Sequence, residues 1–322
     1  MRLVLVAVVV ALAGAAVWYL ATRSAPRPRL SPPTPRQAEL ARLLRSDVEA
    51  LTALGPRNVF RPEALEAAAR HIERSFLAAG YEPMRQTYQL GTVSSSNVEV
   101  DIAGSSKAEE IVIVGAHYDS VFGSPGADDN ASGVAALLAI ARRLGGDGPA
   151  RTVRLVAFVN EEPPHFTTPA MGSYQYAERS HRRGENIVAM LSLESIGYYS
   201  DRRGSQSYPA LLGLFYPSTG DFLGFAGNLR SRELVKRSVR AFREASDVPA
   251  ESAALPELIP QIGWSDQWSF WQFGWSAIMV TDTALFRNPH YHMPTDAAET
   301  LDYDRLARVV EGLVGVVREL GF

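Results

Sequence analysis

Cysteine is absent from this 322-residue chain. Its absence excludes disulfide scaffolds, iron–sulfur clusters, thiolate zinc sites and cysteine nucleophiles. The chain also lacks a large excess of charge of one sign, since it has 32 Lys and Arg and 35 Asp and Glu, which gives a net charge of −3. It therefore has no overall positive charge that would attract nucleic acid. With 46% hydrophobic residues the composition is that of a globular protein. Any metal site must therefore use His, Asp and Glu.

Long apolar runs are also lacking, with one exception at the amino terminus. Residues 3–20 contain no charged side chain, and as a helix they would extend about 27 Å, close to the thickness of a bilayer core. We predict that residues 1–22 form a transmembrane anchor that holds the rest of the chain outside the cytoplasm, in the periplasm or at the cell surface. The alternative is a cleaved signal peptide, in which case the protein is secreted.

Two further regions follow this segment. Residues 23–36 are rich in proline and are expected to form a semi-rigid linker. From residue 37 to 322 the composition stays that of a single large domain, without repeats. Within it, short apolar runs alternate with amphipathic segments, which predicts an α/β fold with an open, mostly parallel central sheet covered by helices on both faces.

The individual elements are predicted from periodicity and from capping residues. Continuous apolar runs are expected to be buried strands, and segments with apolar residues at helical spacing are expected to be helices. The predicted strands are Ile111–Ala116, Thr152–Val159, Ile187–Leu193 and Ala277–Thr281, and the predicted helices are Pro62–Ala79, Ala131–Leu144, Ser231–Ala245 and Tyr303–Leu320.

Acidic and imidazole side chains follow the predicted strands directly. The motifs are His117-Tyr118-Asp119, Gly126-Ala127-Asp128-Asp129-Asn130, Asn160-Glu161-Glu162, Leu193-Glu194-Ser195 and Tyr291-His292. Because ligands of open α/β sheets bind at the carboxyl ends of the strands, these groups are expected to meet at one edge. Carboxylates crowded together repel one another unless they are protonated or bridged by cations. The arrangement therefore suits two divalent ions, zinc first, with manganese or cobalt as alternatives.

The motifs H-x-D, G-A-D-D-N-A-S-G, N-E-E, L-E-S-I-G and Y-H-x-P-x-D, in this order, resemble those of the di-zinc aminopeptidases of metallopeptidase family 28. These include the secreted bacterial leucyl-type enzymes. The resemblance extends from about Arg57 to Leu320. It implies a three-layer α/β/α zinc exopeptidase that acts on peptides with a free amino terminus.

The resemblance also implies a role for each matching residue. It assigns His117 and Glu194 to one zinc, Glu162 and His292 to the other, and Asp128 to a bridging position between them. Glu161 would be the general base, Asp119 would orient His117, and Tyr291 would hydrogen-bond the developing oxyanion. The alternative roles are structural: Asp128 and Asp129 as helix caps, and Tyr291 as a packing residue.

Three features differ from the family pattern. Glu194 stands where Asp is usual, Asn160 stands where Gly usually precedes the two glutamates, and Ser265-Asp266-Gln267 replaces a usual S-D-H segment. Asp266 or Asp296 is a candidate to bind the substrate ammonium. The aromatic stretch 264–275, which alternates as in a strand, is expected to be core rather than pocket.

The sequence leaves three functions open. The first is a zinc-dependent aminopeptidase. The second is a glutaminyl cyclase-like transferase that uses one zinc, and the third is a non-catalytic, membrane-anchored member of the same family. The presence of both His117 and Glu194, the two side chains that would hold the additional ion, favours the peptidase over the cyclase.

Overall fold

A computed structural model of the chain describes residues 30–91, 93–146 and 148–322. The predicted anchor at 1–22 and most of the predicted linker lie outside these ranges. Among the described residues, no helix is both long and apolar enough to cross a bilayer. The first described helix begins at Pro35, and Thr34 and Gln37 form a reciprocal capping box at its start.

The described chain forms one sheet of eight strands. In chain order the strands are β1 (Met84–Leu90), β2 (Val93–Ile102), β3 (Lys107–His117), β4 (Arg151–Phe158), β5 (Asn186–Glu194), β6 (Leu223–Asn228), β7 (Ala250–Leu255) and β8 (Ala277–Thr281). Their spatial order is β1-β2-β4-β3-β5-β8-β6-β7.

The centre of this sheet is parallel and both margins contain antiparallel pairs. β4, β3, β5 and β8 run parallel to one another, and β6 and β7 are parallel to each other. The pairs β1–β2, β2–β4 and β6–β8 are antiparallel. The prediction of a mostly parallel sheet is therefore confirmed.

Helices cover both faces of the sheet. They are α1 (Pro35–Thr52), α2 (Pro62–Ala78), α3 (Gly133–Leu144), α4 (Gly172–Arg182), α5 (Arg232–Ala245), α6 (Gln267–Gln272), α7 (Ala284–Arg287) and α8 (Tyr303–Gly321). Alternate residues of β3 face opposite sides, so that Val112 and Val114 belong to a large core cluster and Ile113 belongs to a smaller one on the other face. This alternation is what a strand buried on both faces requires.

The middle of the aromatic stretch 264–275 is helical and none of the stretch is a strand, which corrects the predicted strand-like alternation. α6 covers its middle, and Phe270 and Trp271 are buried in the smaller cluster. The core assignment therefore holds for these two residues. Trp264 instead remains partly exposed, at 38% of its surface.

Candidate metal centre

The first of two groups of ligand-type side chains lies at the carboxyl ends of the central strands. His117 is the last residue of β3 and Glu194 the last of β5, and these strands are neighbours. His117 Nε2 lies 3.2 Å from Glu194 Oε2 and 3.2 Å from Asp129 Oδ1. All three side chains are buried, and their ligand atoms are close enough to hold one metal ion.

The second group shares one residue with the first. His292 Nε2 lies 3.0 Å from Asp129 Oδ2 and 3.4 Å from Glu162 Oε2. Asp129 thus directs one carboxylate oxygen to each group. The other oxygen of Glu162, Oε1, is buried without a hydrogen-bond partner among the described residues, as expected of a group that completes its contacts with a ligand.

The structure places Asp129, not Asp128, between the two groups, which corrects the residue predicted to bridge them. The carboxylate of Asp128 turns away: Oδ1 accepts from the backbone N–H of Gly197 at 2.9 Å and Oδ2 from the side-chain amide of Asn288 at 2.7 Å. Asp128 and Asp129 are adjacent in one motif and have the same side chain. The sequence alone therefore does not show which of the two carboxylates points towards the ligand groups. Asp128 ties two loops together beneath the site.

Two further carboxylates hold the loops that carry the ligands. Asp119 accepts hydrogen bonds from the backbone N–H groups of Glu161 and Glu162, at 3.1 and 3.0 Å. In the same way, Asp296 accepts from the backbone N–H groups of Asp128 and Asp129, at 2.9 and 3.2 Å. Asp119 Oδ1 also lies 3.5 Å from His117 Nδ1. Asp296, in contrast, is fully buried and fixes a loop, so it is not placed to bind a substrate ammonium.

Asn160 shows why the motif before the two glutamates tolerates a residue other than glycine. Its φ is 61°, in the left-handed region that glycine adopts freely and asparagine adopts more readily than other side chains. Its amide donates to Ser95 Oγ at 2.9 Å and to the Tyr88 hydroxyl at 3.0 Å. These bonds join the end of β4 to β1 and β2, and they fix the turn that presents Glu161.

The longer side chain of Glu194, in place of the usual Asp, is held by two hydroxyl groups. Ser195 Oγ donates to Oε1 at 2.8 Å, and Ser265 Oγ donates to Oε2 at 2.7 Å. Both carboxylate oxygens of this longer side chain are therefore held by hydrogen bonds. Ser265 belongs to the Ser265-Asp266-Gln267 segment, and its contact with Glu194 gives that segment a positioning role at the site.

Glu161 lies beside both groups and belongs to neither. Its Oε2 is 3.9 Å from His117 Nε2. Burial raises its pKa well above the ordinary value, and the nearby carboxylates of Glu194 and Asp266 raise it further. Glu161 is therefore a carboxyl group that accepts and keeps a proton more readily than an exposed glutamate does.

Neighbouring charges shift the pKa values of His117 and Asp129 in opposite directions. Burial would lower the pKa of His117, but the adjacent charges of Glu194 and Glu161 outweigh burial and raise it. For Asp129 burial acts to raise the pKa, while the contacts with His117 and His292 lower it below the ordinary range. The aspartate is therefore ionised, which is the state in which a carboxylate binds a metal ion.

Asp266 is a buried acid with no exposed surface, and neither of its carboxylate oxygens has a hydrogen-bond partner among the described residues. Burial raises its pKa to about 7. It does not line the cavity beside the site. The suggestion that it binds the substrate ammonium therefore finds no direct path from the cavity.

Tyr291 lies beside the metal groups with its ring stacked on that of His292, at a centroid distance of 4.0 Å. It lines the same cavity as Glu194. Burial raises the pKa of its hydroxyl far above the ordinary value, and the charge of Asp129 raises it further. The phenol is therefore neutral, and its hydroxyl can act as a hydrogen-bond donor.

Arg57 is a fully buried cation in the segment between α1 and α2. Its guanidinium donates to the carbonyl oxygens of Tyr118, at 2.9 Å, and Gly126, at 3.1 Å, and its backbone N–H donates to Ser120 Oγ at 3.1 Å. It thereby joins the loop that carries Asp119 to the loop that carries Asp129. Burial lowers its pKa to about 10, so it remains charged at neutral pH.

An apolar cavity of about 150 Å³ opens next to Glu194 and Tyr291. Its walls include Phe222, Ile262 and Trp264, so Trp264 lies at a pocket instead of in the core. A side chain attached to a group held at the metal centre can enter this space. Apolar cavities with a few polar groups at one end are typical of small-molecule and peptide sites.

Comparison with known sequences identifies the family. The sequence profile of Peptidase family M28 matches residues 97–317. The uncharacterized protein YfbL of Escherichia coli is 36% identical over 292 residues, which is 88% of this chain and 89% of YfbL. A probable leucine aminopeptidase of Trichophyton verrucosum is 29% identical over 241 residues. That alignment covers 70% of this chain but only 57% of the fungal protein.

Comparison with solved structures shows the same fold in two enzymes of different chemistry. A zinc aminopeptidase from Bacillus subtilis aligns with a TM-score of 0.68 and 16% identity, over 87% of this chain and 95% of that one. A glutaminyl cyclase from Bacteroides thetaiotaomicron aligns with a TM-score of 0.65 and 18% identity, over 86% of this chain and 97% of the cyclase. On the profile match and the relationship to YfbL, this chain belongs to peptidase family M28.

Proposed function

We propose that this protein is an aminopeptidase that uses two zinc ions to hydrolyse the first peptide bond of substrates with a free amino terminus. The observation that carries the proposal is the pair of three-residue groups that share Asp129. A cyclase that needs one zinc requires only one of these groups. The Trichophyton relative is named a probable leucine aminopeptidase, which agrees with the proposal.

The residues present fit a two-metal site. His117, Asp129 and Glu194 would hold one ion, and Asp129, Glu162 and His292 the other. Imidazole and carboxylate ligands suit zinc, and manganese or cobalt can use the same donors. Metal ions bound by these residues would supply a water-derived nucleophile at neutral pH and would polarise the scissile carbonyl.

The chain's own residues supply the proton transfers and the positioning. Glu161 takes a proton from the attacking water onto its carboxylate and returns it to the leaving amine, because its raised pKa favours holding that proton. The Tyr291 hydroxyl donates a hydrogen bond to the oxygen that becomes negative. Asp119 keeps Glu161 at its place through the backbone.

A chelation experiment on the full-length protein tests the proposal. We expect release of nitroaniline from Leu-4-nitroanilide, loss of release after treatment with a chelator, and recovery with zinc. N-acetyl-Leu-4-nitroanilide is the matched control and should not be cleaved, because it lacks a free amino group. Cleavage of the acetylated substrate at the same rate would contradict exopeptidase action. Ring closure of an amino-terminal glutamine peptide without nitroanilide cleavage would assign cyclase chemistry instead.

We also propose that residues 1–22 anchor the catalytic domain to a membrane on its extracytoplasmic side. The uncharged run at 3–20 supports this. The test is fractionation of cells that produce the full chain or a form lacking residues 1–22. The full chain should sediment with membranes and the shortened form should not, whereas recovery of the full chain in the soluble extracellular fraction would indicate a cleaved signal.

A further inference from the structure

Helix α5 is the most basic of the described helices. Its 14 residues include five cations and two acids, so its net charge is +3, in a chain whose total charge is −3. All five cations are exposed, and they are Arg232, Lys236, Arg237, Arg240 and Arg243. A basic face on an amphipathic helix is typical of a helix that lies against an anionic surface.

Four of these cations form a stripe along one side of α5. Successive members are three or four residues apart, which places them on the same side of a helix, and the members of this basic stripe are Arg232, Lys236, Arg240 and Arg243. The other side of the helix packs into the large core cluster through Val239 and Phe242. The basic stripe therefore faces away from the core.

The acids beside the basic stripe are too few to neutralise it, because each is shared by two cations. Glu233 lies 3.2 Å from Arg232 and 3.1 Å from Lys236. The side chains of Arg232 and Lys236 keep 64% and 65% of their surface exposed. Glu319 of α8 is shared in the same way by Arg237 and Arg240. Ion pairs this exposed are weak, so they can be exchanged for contacts with another anion.

The chain enters the described structure next to the carboxyl-terminal end of α5. The guanidinium of Arg308, on α8, contacts both the backbone oxygen of Ser31 and the carboxylate of Asp247, which follows α5. Ser246, the residue directly after α5, donates from Oγ to the backbone oxygen of Arg308 at 3.0 Å. Any segment that precedes Ser31 therefore leaves the domain beside α5.

Little chain separates this point from the proposed anchor at residues 1–22. The eight Cα–Cα steps from residue 22 to residue 30 span at most about 29 Å, so an anchored domain keeps the surfaces around Ser31 close to the bilayer. Three helices adjoin this point. α1 and α8 each carry three cations and three acids, whereas α5 is basic. Charge therefore favours α5 as the helix that faces an anionic bilayer.

We propose that the basic stripe of α5 binds anionic phospholipid headgroups of the membrane that holds the amino-terminal anchor. Arginine and lysine are the side chains that pair with phosphate groups, and each such side chain near an anionic bilayer adds attraction that salt weakens. The contact would fix which side of the domain lies on the membrane. This inference rests on the proposed anchor and is independent of the proposed aminopeptidase chemistry.

The sequence contains a chemical probe within the basic stripe, because Lys236 and Lys107 are its only two lysines. Lys107 is exposed at the first position of β3 and serves as the internal reference. The full-length protein is inserted into nanodiscs of phosphatidylcholine, alone or mixed with anionic phosphatidylglycerol. Acetylation of each lysine by N-hydroxysuccinimide acetate is then followed by mass spectrometry.

We expect Lys236 to react more slowly than Lys107 when the bilayer is anionic. A surface potential of about −30 to −50 mV lowers the fraction of unprotonated amine about 3- to 7-fold at the surface. The rate at Lys236 relative to Lys107 should therefore be at least about 3-fold lower in the anionic nanodiscs than in the neutral ones.

The variant Arg232→Gln/Arg240→Gln removes the two cations on either side of Lys236 in the basic stripe and keeps the probe. It should abolish most of this decrease. The matched control is Arg182→Gln/Arg183→Gln, at the end of α4 on the opposite face of the sheet, where the two side chains are 68% and 59% exposed. The control should keep the decrease. Thermal unfolding shows whether each variant is folded.

Three results would overturn the inference and leave the anchor in place. They are equal relative rates in the two kinds of nanodisc, a decrease that survives Arg232→Gln/Arg240→Gln, and protection of Lys236 in detergent alone that increases with protein concentration. The last would assign the basic stripe to a second copy of the chain. Failure of the full-length protein to enter either kind of nanodisc would instead refute the anchor, and the inference with it.

Discussion

Two adjacent aspartates offer a sharp test of the metal centre, because they differ in what their carboxylates contact. Asp129 is the one residue common to both ligand groups of the described chain. The Asp129→Asn variant removes a negative ligand from both ions at once. Loss of a residue that only hydrogen-bonds a metal ligand typically weakens metal binding about 10- to 100-fold. Loss of the shared ligand itself should weaken metal binding more. We expect two zinc ions per chain in the wild type and less than one in this variant.

The neighbouring variant Asp128→Asn should retain both ions and lose stability instead. Gly197 and Asn288 both donate hydrogen bonds to Asp128, and an asparagine has one carbonyl oxygen to accept them, so one buried donor is left facing an NH₂ group. Leaving such a donor unsatisfied costs about 1–3 kcal/mol. At about 2–4 °C per kcal/mol for a domain of this order of size, the melting temperature should fall by several degrees.

Metal content by mass spectrometry after dialysis, and thermal unfolding of the same samples, separate the two variants. Both substitutions remove one charge and keep the size of the side chain, so each controls for the other. The reasoning is refuted if Asp128→Asn loses zinc while Asp129→Asn keeps two ions.

Four further predictions concern single residues around the site. Glu161→Gln should abolish turnover yet bind zinc as the wild type does, since Glu161 lies outside both ligand groups; loss of metal would make it a ligand. Tyr291→Phe should lower kcat about 10²- to 10³-fold, the usual effect of losing an oxyanion donor, with KM little changed; an unaltered kcat would make the ring a packing element. The pKa of Asp266 is raised to about 7 in the folded protein, so between its ordinary pKa and 7 the folded state binds a proton that the unfolded state does not. Protein from which metal has been removed by a chelator should therefore melt at a higher temperature at pH 5 than at pH 8. The variant Asp266→Asn should reduce that difference, and an unchanged pH dependence would contradict the assignment. Gly133→Ala should lower the melting temperature, because the added carbon would clash with Asn130 and with the Leu193 backbone oxygen; an unchanged melting temperature would contradict this.

The sequence predicts the centre of the fold well because burial on both faces leaves a simple pattern. Ile111–Ala116 lies within β3, and Ala277–Thr281 coincides with β8. The edge strands were not predicted. β1 contains mostly polar residues and is largely exposed or half-buried, and β7 consists of three alanines, a serine, a glutamate and a leucine. Such strands are specified by pairing with a neighbour, which no local pattern reports.

The site shows the same division. The motifs indicate which loops carry the ligands, because a loop's place in the sheet follows from the strand before it. Which of two adjacent acids turns inward depends on contacts made by Gly197 and Asn288, far away in the chain. The role of Asp296 as a backbone acceptor was equally out of reach, since the motif that contains it shows only an acid near a histidine.

The buried cation Arg57 shows that the site depends on residues that precede the stretch matched by the family profile. The stretch matched by the family profile starts at residue 97, yet the guanidinium that ties the Asp119 and Asp129 loops together comes from 40 positions earlier. A fragment limited to the matched stretch would keep every candidate ligand. It would lose the Arg57 hydrogen bonds that join the Asp119 loop to the Asp129 loop. The segment between α1 and α2 thus supports the candidate metal centre through Arg57, and a recombinant form that begins after residue 57 would lose these contacts.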